Sequence, residues 1–218
     1  MSEVEPTPTG YPKKRARTRQ RLLRAGLEAL GSSGPDGLTV GQLSVLAGTS
    51  QGTFYNHFGS IPELVAEAAD HLGQGVEIAT DALEAVEHDP AARVAIGTLQ
   101  LLRLAEDDRV ASAAFVTLAA VLPDFRARVR SVVRRAIEDG VRAGRFTVEP
   151  GEAPVNAVLG TSLQSMRSRT LGESVSSEQT AVASLILRAL GLDPGEIPTV
   201  VERAAQIVAA DPWRPLAA

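Results

Sequence analysis

The stretch Gln51-Gly52-Thr53-Phe54-Tyr55-Asn56-His57-Phe58 concentrates groups able to recognise the polar edge of another molecule. The carboxamides of Gln51 and Asn56 each hold a donor beside an acceptor, the arrangement that pairs bidentately with an adenine edge. The hydroxyls of Thr53 and Tyr55 reach phosphate oxygens, the Thr53 methyl suits a thymine methyl, and Gly52 lets a backbone come close. At about 100° per residue, Gln51, Gly52, Tyr55 and Asn56 fall in one broad sector of a helix. Phe54 and His57 lie on the other side, with Phe58 at its flank. A helix this short is stable only when pinned, so Phe54 and Phe58 are expected in a core and the polar sector outside it. His57 is expected to be structural, a hydrogen-bonded residue at the helix end.

The neighbouring sequence supplies the elements that would hold this face. Leu22, Leu23, Leu27 and Leu30, with Ala16, Ala25 and Ala29, recur at helical spacing from about residue 14 to Gly31, where a run of Gly, Ser and Pro ends the pattern. Thr39 is an N-cap for a short second helix with Val40, Leu43 and Ala47 on one face, and Gly48 supplies the positive φ that closes it. Ser50 caps a third helix, Gln51 to Phe58, stopped by Gly59. Ser60 caps a fourth, with Pro62 near its start and Glu63 three residues after the cap. Two short helices joined by a tight glycine-containing turn form the helix-turn-helix pattern. Further helices are expected at 61–85, 90–105, 109–121, 123–143, 153–171, 177–190 and 196–209, punctuated by Pro90, Pro123, Gly144, Pro150, Gly172, Gly191 and Pro194. No stretch alternates with period two for long enough to require a strand, so the chain is expected to be all-α. Residues 1–12 are expected to form a flexible arm, 13–60 the helix-turn-helix domain, 61–210 a helical regulatory and dimerisation domain, and 211–218 a tail.

A net charge of −4 over 218 residues counts against nucleic acid until it is divided along the chain. Between residues 13 and 59, Lys13, Lys14, Arg15, Arg17, Arg19, Arg21 and Arg24 face only Glu28 and Asp36, whereas residues 60–218 carry 15 Arg against 22 acids. A basic cluster directly before a helix-turn-helix reads as charge for phosphates, with Lys13, Lys14 and Arg17 foremost. Apolar residues make up 44% of the chain, enough for a core, which excludes wholesale disorder. Cysteine is absent, which excludes disulfides, thiolate nucleophiles and zinc–cysteine or iron–sulfur sites. His57, His71 and His88 show no metal-ligand spacing, and neither a phosphate-binding glycine loop nor a nucleophile elbow is present, so no enzyme and no cofactor are expected. The longest uncharged stretches, Ala111 to Leu122 and Ala153 to Met166, fall short of the roughly 18 apolar residues of a membrane span. A cytoplasmic protein without a membrane partner is expected.

The segments Gly37-Leu38-Thr39-Val40 through Leu43, Leu46-Ala47-Gly48, and Ser50-Gln51-Gly52-Thr53-Phe54-Tyr55-Asn56-His57-Phe58-Gly59-Ser60 together resemble the DNA-binding domain of the tetracycline-repressor (TetR) family. The resemblance covers about residues 14–64. It implies an all-α homodimer that represses transcription from double-stranded DNA, with a three-helix N-terminal domain and a larger ligand-binding domain of variable sequence. It makes Gln51, Gly52, Thr53, Tyr55 and Asn56 operator contacts, counts the capping Ser50 with them, and has Thr39 cap the second helix and touch a phosphate. The chain departs from the family at Ile61, where a basic residue is frequent, and at Gly41, where some members carry a base-reading Arg. More positioning charge is then expected from the N-terminal arm.

The larger half is less explicit. Residues 123–143 place Phe125, Val129, Val132, Val133, Ala136, Ile137 and Val141 on one stripe, and Arg134 with Glu138 and Arg135 with Asp139 form i, i+4 pairs on the solvated side. The small and aliphatic faces of 153–171 and 177–190 suit a helix–helix interface, which the resemblance assigns to the dimer. A pocket for a small-molecule effector is implied among helices 61–190. Its lining is expected to be aliphatic, because only Phe115, Phe125, Phe146 and Trp213 are aromatic beyond residue 60. Candidate ligand-orienting groups are Gln100, Arg103, Thr117, Gln164 and Arg167, with Asn156 and Thr161 beside them. The function expected is a dimeric repressor released from a palindromic operator by a small molecule. The alternative is a constitutive DNA-binding protein whose helical domain docks a protein partner.

Overall fold

The computed structural model describes residues 11–173 and 178–210. The segments 1–10, 174–177 and 211–218 lie outside the described residues, and with them most of the expected arm, the whole expected tail and Trp213. The described chain is helical, and no strand occurs among those residues. It divides into two compact units, residues 1–68 and 69–218.

The first unit holds α1 (Tyr11–Ser33), a one-turn 3-10 helix (Pro35–Gly37), α2 (Val40–Leu46), α3 (Gln51–Tyr55) and the start of α4 (Ile61–Val86). Leu22, Leu27, Leu30, Leu43, Phe54, Phe58 and Leu64 are fully buried and form its core. The helices begin where capping chemistry allows. Thr39 and Gln42 form a capping box, the Thr39 hydroxyl accepting from the Gln42 amide at 3.2 Å while Gln42 Oε1 accepts from the Thr39 amide at 3.2 Å. The Glu63 amide donates to Ser60 Oγ at 3.3 Å and the Glu63 carboxylate accepts from the Gly59 amide at 2.7 Å, opening α4 as its sequence predicts. Two boundaries differ from expectation. The first helix starts at Tyr11, not near residue 14, so Lys13 is helical. The third ends at Tyr55, and Asn56 to Phe58 form a tight turn whose His57 carbonyl accepts from Arg19 at 2.6 Å instead of continuing a helical ladder.

The second unit contains the rest of α4 together with α5 (Pro90–Asp107), α6 (Arg109–Val121), α7 (Pro123–Arg142), α8 (Glu152–Leu171), α9 (Gln179–Ala189) and α10 (Ile197–Ala210). Helix α5 is its axis, packed against all five helices that follow it. It is apolar around much of its circumference, as a helix surrounded by others must be, with Ala91, Ala95, Ile96, Leu99, Leu102 and Leu104 buried. Asp89 caps its start, accepting from the Ala91 amide at 3.0 Å, and Asp108 caps α6 through the Ala111 amide at 3.0 Å.

The arginines of α7 do not make the intrahelical pairs expected from sequence. Arg130 and Arg134 both reach Glu152 on α8, Arg130 also donates to Asn156 Oδ1 at 2.7 Å, and Asp139 pairs with Arg142 at 2.7 Å. An exposed i, i+4 pair contributes only a few tenths of a kcal/mol, about 0.2–0.5, so a carboxylate on a packed neighbour readily captures the side chain. Arg128 spans to α4, donating to Asp70 at 2.9 Å and to both Glu77 oxygens at 3.1 and 3.0 Å, with its guanidinium laid over Gly73. These hydrogen bonds hold the Glu77 carboxyl below the usual carboxylate range. Among the described residues no single helix is long and apolar enough to cross a membrane.

Candidate nucleic-acid interface

Two arginines of α1 build the helix-turn-helix from beneath. Gly48 joins α2 to α3 with φ of 58°, a conformation glycine adopts without strain. The carbonyls of Ala47 and Gly48, in the turn that follows α2, accept from Arg21. It donates from Nε to the Ala47 carbonyl at 2.9 Å and from Nη2 to the Gly48 carbonyl at 2.7 Å. Arg19 lies with its guanidinium carbon 4.4 Å from the Phe58 ring centroid, donates to Glu67 Oε1 at 2.8 Å, and holds the His57 carbonyl. One arginine thus fixes the turn before α3 and the other the turn after it.

On α3 itself, Ser50 Oγ accepts from the Thr53 amide at 3.1 Å and lies 2.9 Å from the Thr53 hydroxyl. Phe54 and Phe58 are 0% and 1% exposed, their centroids 5.8 Å apart, so the helix is anchored by the two rings that its wheel places inward. Tyr55 stands edge-on to Phe54, at 5.4 Å and 89°, and is 58% exposed. Gln51, Gly52 and Asn56 are exposed beside it, and Thr53 is half-buried. The Gln51 amide nitrogen would lie 3.6 Å from a Cβ at Gly41, so the position at which some family members carry Arg adjoins the reading face. The hydroxyls of Thr39 and Ser50 serve their helix caps, which orients both residues at the rim. His57 is held below its ordinary value of 6.5, first by burial and then by the charges of Arg15 and Arg19, so it is neutral near pH 7.

The basic cluster divides in two. Lys13, Lys14, Arg15 and Arg17 are exposed along the first turns of α1 and Arg24 farther along it, whereas Arg19 and Arg21 are committed to carbonyls of the turns on either side of α3. Counting all seven cations as phosphate-neutralising charge overstates the cluster. The distinction is visible in sequence only in retrospect, since Arg19 lies three residues before Leu22 and Arg21 four before Ala25, at the flanks of the buried stripe.

The second unit holds a partly open cavity of about 110 Å³ lined by α4, α5, α6, α7 and α8. Its walls are mainly aliphatic, with Val76, Leu83, Val129 and Val133 among them, and Phe115 is its aromatic side chain. Gln100 lines it, but Arg103, Thr117, Gln164 and Arg167 are not among its lining residues. Arg103 pairs with Asp107 at 3.2 Å and donates to the Val208 carbonyl at 3.1 Å, tying α5 to the end of α10. Thr117 is half-buried on α6, and Gln164 and Arg167 are exposed on α8. Thr161, also on α8, and Asn156, which accepts from Arg130, are likewise absent from the lining. The polar groups that do line it and that sequence reasoning passed over are Thr80, Glu84, Arg93, Thr98 and Ser162. Arg93, three residues beyond Pro90 in a helix start, carries no sequence signal of a cavity.

The second unit of the chain and part of the first match known families. The model of bacterial regulatory proteins of the tetR family matches residues 22–68, and that of the tetracyclin repressor-like C-terminal domain matches residues 89–203. No protein of curated function is similar enough in sequence to match. Among solved structures, RolR in complex with resorcinol is 26% identical with a TM-score of 0.60, the match covering 88% of this chain and 96% of that one. A gamma-butyrolactone receptor described as ArpA-like is 16% identical with a TM-score of 0.72, covering 90% of this chain and 99% of that one. A TetR-family regulator from Marinobacter aquaeolei VT8 is 15% identical with a TM-score of 0.70, covering 84% of this chain and 100% of that one. The helix-turn-helix, the helical second unit and a C-terminal match spanning more than half the sequence lead to one conclusion: the chain belongs to the TetR family, whose members are non-enzymatic, DNA-binding regulators of transcription.

Proposed function

We propose that this regulator is a dimeric repressor that occupies a palindromic operator and leaves it when a small molecule fills the cavity of the second unit. The observation that carries the DNA reading is the division of labour on α3: Phe54 is buried, while Gln51, Tyr55 and Asn56 are exposed on its other side. In this reading Gln51 and Asn56 contact base edges, and Gly52, Thr53 and Tyr55 approach the backbone or a thymine methyl. Thr39, Ser50, Lys13, Lys14 and Arg17 position the domain on phosphates. The two reading helices of a dimer would enter major grooves about 34–36 Å apart, or a multiple of that.

The exposed stripe of α8, comprising Ala153, Ala157, Gly160 and Leu171, together with Leu185 on α9, is the proposed dimer face. Small residues there let two helices approach closely. The ligand reading rests on the partly open, largely aliphatic cavity, and the solved relative with resorcinol supports a small effector. Binding of ligand and of operator would each weaken the other by the same factor.

The test selects DNA from a random pool with purified protein and sequences what is bound. A palindrome with half-sites one helical turn apart, bound by a species of dimer mass in sedimentation, is the expected result. A unique site bound by monomer would overturn the dimeric reading. Operator binding unchanged by every small molecule that binds the protein, together with a co-purifying protein, would favour constitutive DNA binding with a docked partner.

A further inference from the structure

The polar edge of the cavity is built around a cation whose hydrogen bonds are incomplete. Arg93 has a side chain only 16% exposed and lines the cavity from α5. Its nearest carboxylates stand off, Glu84 on α4 at 3.8 Å from Nη1 and Asp139 on α7 at 3.5 Å from Nη2. Its buried Nε has no hydrogen-bond partner among the described residues. A buried guanidinium donor left without an acceptor costs free energy that a ligand oxygen would recover.

The surrounding groups limit what that oxygen belongs to. Thr80 and Thr98 direct their hydroxyl protons to the carbonyls of their own helix, Val76 at 2.8 Å and Val94 at 2.9 Å, so toward the cavity they offer acceptor lone pairs only. Glu84 also lines the cavity and only accepts. The charged residues of the lining are Arg93 and Glu84, so the edge is neutral as a whole, and Asp139 behind it is shared with Arg142 at 2.7 Å. A ligand carboxylate would satisfy Arg93 but would face Glu84 and two hydroxyl lone pairs. A hydroxyl accepts from Arg93 and donates to one of the neighbouring acceptors. Gln100 and Ser162 add a carboxamide and a hydroxyl to the lining, the rest of the wall is hydrocarbon, and about 110 Å³ is on the scale of a single ring; an engineered apolar cavity of about 150 Å³ holds benzene.

Resting on the ligand-responsive reading above, and narrowing it, we infer that the effector is a neutral compound of about one ring carrying a hydroxyl, held with that oxygen on the Arg93 guanidinium and its apolar body against the valines of α4 and α7. Gly97, one turn beyond Arg93, opens into the same space, since a Cβ placed there meets nothing within 4 Å.

Isothermal titration of the full-length protein with phenol, 4-methylphenol, cyclohexanol, benzoate and octanoate tests the inference, using Arg93→Gln and Gly97→Leu as variants. Gly97→Leu fills the cavity without removing a contact, so it remains informative should Arg93→Gln fail to fold. The expected result is one site per protomer for the neutral ring alcohols, at least tenfold tighter than for benzoate or octanoate, weakened at least tenfold by Arg93→Gln and abolished by Gly97→Leu. Preferred binding of benzoate or octanoate that Gly97→Leu abolishes would overturn the ligand class while leaving a ligand-responsive cavity. Ring-alcohol binding that survives Gly97→Leu would place the site elsewhere and overturn the inference. Binding by none of the five probes would overturn it too, whereas the ligand-responsive reading fails only if no small molecule alters operator affinity.

Discussion

Two glycines inside helices of the second unit should respond oppositely to the same substitution. Gly97 lies within α5, where glycine costs about 0.8–1.0 kcal/mol relative to alanine in backbone entropy. Nothing lies within 4 Å of its virtual Cβ, so the methyl of Gly97→Ala enters the cavity without displacing an atom. Partial burial of one methyl adds up to about 0.8 kcal/mol. The gain should total about 1–1.5 kcal/mol, which for a chain of this size raises the melting temperature by about 2–6 °C. Gly140, in the last turn of α7, is the control. Its virtual Cβ falls 2.1 Å from Cδ2 of Phe146, a ring that is 3% exposed and has no room to retreat. Gly140→Ala should lower stability by about 1–3 kcal/mol, the usual range for overpacking a core. Calorimetric melting of both variants beside the wild type decides the matter. A lower melting temperature for Gly97→Ala would show that the cavity wall is not open at that point, and equal shifts for the two variants would refute reasoning from local space altogether.

Replacing Gln51 or Asn56 by Ala should cost about 1–3 kcal/mol at particular base pairs of the selected operator and little at others, measured by binding to single-position operator variants. Indifference of binding to Gln51, Tyr55 and Asn56 replaced together would show that another face reads the DNA. Arg21→Met should leave the second unit's melting unchanged but weaken operator binding and speed amide exchange from residues 47 to 55, because the Ala47 and Gly48 carbonyls lose their donor. With its folded value lowered below 6.5, His57 favours the native state fully above pH 6.5, and that contribution falls as the pH drops through the lowered value. The melting temperature of the wild type should therefore fall more between pH 7.5 and 5.5 than that of His57→Gln, and equal slopes would exclude His57 as a source.

The helices and their order were legible because each signal is local. Thr39, Ser50 and Ser60 sit at real caps, Gly48 at a real turn, and Phe54 and Phe58 at a real core, all within a few residues of what they organise. The cavity was not legible, because its lining combines five helices separated by up to 86 residues, from Val76 to Ser162. A polar residue such as Gln164 on an otherwise apolar helix looks the same in sequence whether it faces a cavity or solvent. The arginines divide along the same line. Their charge is evident from composition, but whether Arg19 meets a phosphate or the His57 carbonyl depends on an element 38 residues away.

The internal use of Arg19 and Arg21 sets how this protein senses ionic strength. Four exposed cations remain on the opening turns of α1, Lys13, Lys14, Arg15 and Arg17, giving eight in the proposed dimer. If each displaces a condensed counterion, the logarithm of affinity falls with the logarithm of salt at a slope of about −7, or roughly 10⁴-fold between 50 and 200 mM. With Arg19 and Arg21 also on phosphates the slope would approach about −11. Committing those two guanidiniums to protein carbonyls and Glu67 leaves more of the recognition to α3 in the proposed complex, where salt would then act as a graded second input at the same operator.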